Sequence, residues 1–138
     1  MLLYEIKISY ERQTGEDNPK NVHEIYLIEG VNCTDVESRL MLEVGPYISG
    51  DSQVTNCKTV QYMDIIDKVD GDNWYKGRVE LITVDDSGKE SRKAVSILVQ
   101  AHDMKQALKR LDEHVSNLDC EIISLTKTKI MDVLHAVN

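Results

Sequence analysis

The chain writes nearly the same phrase twice: CKTVQYMDIIDKV at Cys57–Val69 and LTKTKIMDVLHAV at Leu125–Val137. In both, Met-Asp precedes two aliphatic residues and a valine closes three residues later, at a spacing of 68 residues. Recurrence at a fixed spacing is the mark of an internal duplication. The sequence upstream of each phrase supports that reading.

Before the first phrase, Tyr4, Ile6, Ile8 and Tyr10 alternate with Glu5, Lys7 and Ser9, the period-two signature of a strand with one face in the core. QTGEDNPKN (13–21) collects turn residues, and VHEIYLIEG (22–30) resumes β-rich sequence, so the two runs predict a hairpin. Thr34 with Glu37 reads as a capping box, and Val36, Leu40 and Val44 follow at helical spacing until GPYISGD (45–51) stops the helix. QVTNCKTVQYM (53–63) is the third strand. Before the second phrase the order repeats. WYKGRVELITV (74–84) alternates, DDSGK turns at Gly88, and AVSILVQ (94–100) returns. Asp103 with Gln106 caps a helix striped by Met104, Leu108, Leu111 and Val115, and CEIISLTKTK (120–129) is a sixth strand.

The expected fold is therefore α+β: duplicated β-β-α-β units, approximately residues 1–69 and 73–138, in a single domain over 1–138. They build one antiparallel sheet of about six strands with both helices packed on one face. The Met-Asp phrases act as caps closing the sheet end. Glu5, Lys7, Arg78 and Glu80 on the other face suggest that it meets water or a paired subunit. The offset between copies drifts from 68 to about 71 and 73, which a longer first hairpin loop would explain.

Length and composition agree with one globular domain: 138 residues, 41% apolar and 29% charged. MLLYEIKISY alternates instead of running apolar behind a basic leader, so neither a signal peptide nor a membrane segment is expected, and the cytoplasm is the simplest location. A net charge of −8 makes duplex nucleic acid an unlikely partner. Cys33, Cys57 and Cys120 are odd in number and far apart, which predicts small apolar residues and no disulfide framework.

At YLIEG, PYISG (Pro46–Gly50), NWYKGRVELIT, LVQA (Leu98–Ala101) and IMDV (Ile130–Val133) the chain resembles a family of small uncharacterised proteins classed as a domain of unknown function. That family is found in gut anaerobes and in their phages and mobile elements. The resemblance covers nearly the whole chain and implies a small accessory protein encoded by a phage or prophage. It brings no catalytic residues with it.

Chemistry-bearing motifs are sparse. DIIDKVDGDNW (64–74) is rich in carboxylates but fails the calcium-loop spacing, so it reads as a solvated linker. His23, His102, His114 and His135 lack the spacing of a helical zinc pair, and no metal or cofactor is expected. No Gly-x-Ser-x-Gly or phosphate loop occurs, and the reading leans away from an enzyme. Six Tyr and one Trp are the aromatic stock. Tyr4 and Tyr10 share an apolar strand face, which leaves Tyr62 and Trp74, near the repeat junction, as better contact candidates. Lys58 and Thr59 in one copy, and Lys127, Thr128 and Lys129 in the other, stand at corresponding strand ends and could hold a phosphate.

These seven residues predict a homo-oligomeric, non-enzymatic accessory protein that binds a small anionic, nucleotide-like ligand, as in sequestering a host immune signal. Two alternatives stand beside it. One is a single-stranded nucleic-acid-binding or recombination accessory protein using a sheet face. The other is an inhibitor docking on a host enzyme through IMDVLHAVN, where Ile130, Val133, Leu134 and Val137 could form an amphipathic turn.

Overall fold

The computed structural model describes residues 1–12, 20–48, 50–67 and 69–136. Most of the QTGEDNPKN turn, and Val137 of the tail, lie outside the described residues. In chain order the elements are β1 (Leu2–Arg12), β2 (Lys20–Gly30), α1 (Cys33–Val44), β3 (Ser52–Val60), β4 (Asp64–Ile66), β5 (Asn73–Val84), β6 (Glu90–Ala101), α2 (Met104–His114), β7 (Cys120–Lys127) and β8 (Ile130–Leu134). They form two compact units: Met1–Val60 with Lys129–Asn138, and Gln61–Thr128.

In the first unit β1 and β2 form an antiparallel hairpin in which Tyr4 faces Ile28 and Ile6 faces Tyr26. The alternation seen in the sequence puts Tyr4, Ile6 and Ile8 into one cluster with Val36 and Leu40 of α1. Each such aliphatic side chain removed from water contributes about 1.5–3 kcal/mol. Pro46 sits in a 3-10 turn, Gly45–Tyr47, that follows α1. The second unit repeats the scheme. Tyr75 and Val79 of β5, with Ile97 and Val99 of β6, pack against Ala107 and Leu111 of α2.

The single six-stranded antiparallel sheet is not what forms. There are two four-stranded sheets, in the orders β3-β1-β2-β8 and β4-β6-β5-β7, each with its own helix and its own hydrophobic cluster. The reason lies in the two Met-Asp phrases. They are strands, not caps, and DII at 64–66 is part of a sheet and not a solvated linker. β4 runs parallel to β6, with Asp64 opposite Ile97, and β8 runs parallel to β2, with Asp132 opposite Tyr26. Each phrase thus joins the hairpin of the other repeat. A unit takes three strands and a helix from one copy and its fourth strand from the other.

Two arginines hold these parallel edges by the same device. Arg39 of α1 donates to the carbonyls of Glu29 and His135, the latter at 2.7 Å. Arg110 of α2, 71 residues on, donates to the carbonyls of Gln100 at 2.7 Å and Asp70 at 2.5 Å. In each unit one guanidinium ties the helix to its hairpin strand and to the chain that trails the exchanged strand.

Local details depart from expectation in four places. The first N-cap is Asn32, whose side chain accepts the Asp35 N–H at 2.8 Å, two residues before Thr34. Asn caps at least as well as Thr, and starting there places Cys33 in the first turn. The second cap, Asp103 with Gln106, is as expected. On α2 the buried stripe is Ala107, Leu111 and Val115, while Met104 and Leu108 are 44% and 47% exposed. Cys33 and Cys57 are disulfide-bonded across 6.2 Å between Cα atoms, and only Cys120 is a free thiol. Lastly, Arg12 pairs with Lys20 and Thr83 with Ser91, both at an offset of 71, so the two hairpins are equally long. The change to 68 falls between helix and third strand, where Ile6 faces Cys57 and Gly77 faces Leu125.

Among the described residues no helix is long and apolar enough to cross a membrane.

Candidate functional site

In the second unit Tyr75, Gly77 and Val79 turn toward α2, so Trp74, Lys76, Arg78 and Glu80 line the opposite face of β5. Register supplies their neighbours on β6 and β7. Lys76 lies between Leu98 and Thr126, Arg78 between Ser96 and Ser124, and Glu80 between Ala94 and Glu121. The Met63 N–H donates to the Ser96 carbonyl at 2.8 Å and so carries Tyr62 onto the same face. There the Lys76 Nζ stands 5.9 Å from the centroid of the Tyr62 ring. A contact of this kind at an exposed site contributes about 0.5–1 kcal/mol.

Charge is distributed unevenly along this face. At one end Arg92 gathers Glu121 at 2.6 Å, Glu90 at 3.4 Å and Glu80 at 3.5 Å. Hydrogen bonds to Glu121 and then Glu90 raise the Arg92 pKa above its ordinary value. At the other end Lys76 and Arg78 are exposed, and neither is ion-paired among the described residues. Three carboxylates thus share one guanidinium at the acidic end, while the basic end has two cations, the hydroxyls of Ser124 and Thr126, and the Tyr62 ring.

Residues 2–136 match the family described as Domain of unknown function (DUF4494). The chain belongs to that family. No curated protein and no solved structure matches it. Membership over nearly the whole chain agrees with the resemblance drawn from YLIEG, PYISG and LVQA.

Within this DUF4494 chain the seven residues singled out from sequence are divided between the units. Lys58 and Thr59 lie on β3 in the first unit, Lys58 paired to Glu5 at 3.3 Å and Thr59 opposite Tyr4. Lys129 belongs to that unit as well. Tyr62, Trp74, Lys127 and Thr128 belong to the second. Trp74 is only 3% exposed, which withdraws its indole from any surface stacking role, and its carbonyl accepts both the N–H and the hydroxyl of Thr128 at 2.8 Å. Lys127 stands opposite Tyr75, on the helix side of the sheet. Of the seven, Tyr62 brings a partly exposed ring to the basic face, on which Trp74 lies buried. Lys76 and Arg78 went unassigned because their grouping with Tyr62, Ser124 and Thr126 is made across strands, although the alternation of WYKGRVELITV already placed them on one face.

The remaining polar groups serve other ends. His114 and Asp64 meet at 2.5 Å, His102 and Asp72 at 3.2 Å, and His135 pairs with Glu29, each joining two segments of one unit. Among the described residues no three His, Cys, Asp or Glu side chains gather as metal ligands. In the first unit a cleft of about 820 Å³ is lined by Ser9, Tyr10, Asn21 and Gln53 with the carboxylates Glu11 and Asp51, a rim that repels anions. Burial, reinforced by Glu24, raises the Tyr26 pKa and keeps that phenol protonated.

Proposed function

We propose that this DUF4494 protein is a non-enzymatic binding protein for a small anionic, nucleotide-like ligand received on the basic end of the β5 face. The observation that carries the reading is Lys76 above the Tyr62 ring with Arg78 next along the same face, two exposed cations without an ionic partner among the described residues. A phosphate would be held by charge-assisted hydrogen bonds from these two, with Ser124 and Thr126 as further donors. A base would pack against Tyr62. The sequence resemblance supports the setting, an accessory protein of a phage or mobile element that sequesters a host immune signalling nucleotide. The Cys33–Cys57 bond weighs against a cytoplasmic location, because disulfides persist mainly in oxidising compartments.

Calorimetry at low salt against cyclic and linear nucleotides tests this reading. Binding is expected for at least one of them, and Lys76→Ala and Arg78→Ala should each weaken it by about tenfold or more, since a hydrogen bond to a charged group contributes about 1.5–3 kcal/mol. Absence of heat at high protein concentration would remove the reading. The same face favours a second one, a single-stranded oligonucleotide laid along β5, and a steep fall of affinity with salt would distinguish it.

A further inference from the structure

We infer that two copies of this chain exchange β8, so that each completes the first unit of the other. The inference stands apart from the ligand reading. It begins with the sheet order: the first unit has β8 as its fourth strand, and β8 is reached only after the chain has passed through the whole of the second unit. The strand that β8 pairs with, at Ile25–Ile28, lies in Met1–Val60, as do Arg39 and Glu29, which bond His135 just after it. A β8 supplied by a second copy would meet the same groups in the same register.

The two arrangements part at a short junction. Thr128 is anchored in the second unit by two hydrogen bonds to the Trp74 carbonyl, both at 2.8 Å. Ile130 is already in register with Ile25. Lys129, exposed, is the one residue between, and a change in its backbone dihedrals redirects everything after it. Short hinges of this kind make exchange of an identical element a low-cost route to a dimer. Withdrawing β8 breaks its pairing with Ile25–Ile28 and exposes Ile130 and Val133, both buried, so the open form is scarce. Exchange is therefore slow under native conditions and is set during folding, where concentration decides it.

The test uses the full chain. Leu27 and Val133 are in register on adjacent strands, so Leu27→Cys in one copy and Val133→Cys in another form an intermolecular disulfide only if β8 crosses. The two variants are mixed, unfolded in denaturant, refolded together at increasing concentration and oxidised mildly. A dimer that grows with concentration, together with a cross-link in this mixture but not in Leu27→Cys with Met104→Cys, is the expected result. A dimer without that selective cross-link overturns the inference, because association then uses another surface. Wild-type chain refolded alongside, without any substitution, overturns it equally if light scattering finds monomer at every concentration.

Discussion

Leu40 of α1 and Leu111 of α2 occupy the same place in two copies of one design, 71 residues apart, and both are fully buried, yet each helix meets its sheet by a different device. Beneath α1 the central strand presents Ile6, and the helix is bonded covalently to β3 through Cys33 and Cys57. Beneath α2 the position matching Ile6 is Gly77, where an added Cβ would stand 2.5 Å from Leu111 Cδ2. The cysteine positions are there taken by Met104 and Leu125. Duplication carried over what sets topology, the N-caps, the arginine clamps and the exchanged edge strands. The helix-sheet contact, which depends on local volume, was settled separately in each copy: by a covalent link in one and by close approach in the other.

The largest way to break this contrast is to remove the covalent link. Cys57→Ser opens a loop whose closing residues are 24 apart, and the chain-entropy relation assigns such a loop about 3–4 kcal/mol. Amide exchange should show lost protection in β1, β2 and β3 and little change in β5, β6 and β7. Reductant should reproduce the effect on the wild type and leave the variant unmoved. Equal loss in both units would mean that the link does not act on the first unit alone.

The second comparison reverses the direction. Gly77→Ala pushes a methyl into Leu111, and overpacking of this kind costs about 1–3 kcal/mol. Exchange protection should now fall in the second unit. Adding Leu111→Ala makes room for that methyl, so the double variant should be more stable than the two single losses added together. Simple additivity in denaturant unfolding would show that Gly77 does not set the approach of α2.

Much of this scheme could be read from residues and some of it could not. The alternation of Tyr4, Ile6 and Ile8, the Asp103 cap and the turn at Gly88, whose φ is 85°, are local, and local periodicity reports them directly. The destination of the Met-Asp phrases is not local. Four residues with two aliphatics suit a cap or a short edge strand equally, and only pairing against Tyr26–Ile28 or Ile97–Val99 decides that each joins the other repeat. Cys33 and Cys57 bond because the fold brings their Cα atoms to 6.2 Å, which an odd count and wide spacing concealed. Ala107 escaped the helical stripe because a small side chain carries little hydropathic signal, although closeness to the sheet selects for it. For the site, Tyr62 was legible as an aromatic near the junction, but the face it shares with Lys76, Arg78, Ser124 and Thr126 is assembled from separate stretches of chain.

The smallest effect concerns the tip of the second hairpin, where the two units share strand register but only one turn is described. Asp85 accepts from the Ser87 hydroxyl at 2.7 Å, the Lys89 N–H at 2.8 Å and the Ser87 N–H at 2.9 Å. These bonds, the Ser87 hydroxyl first, hold its carboxyl below the ordinary aspartate value. A carboxyl whose pKa is depressed by folding adds stability above its unfolded pKa of about 4, and that contribution disappears as the pH falls through the lower folded value. Asp85→Asn keeps an acceptor while removing the titration, so wild type and variant should differ slightly near neutrality and converge under acid. Because Asp85 is fully exposed, solvent screens the effect and it should be confined to the turn. Following amide shifts from about pH 6 to about pH 2, Gly88 and Lys89 should move with the Asp85 midpoint in wild type and stay still in the variant. If Arg12 and Lys20 of the first hairpin shift with that same midpoint, the response belongs to something both hairpins contain and not to the Asp85 turn.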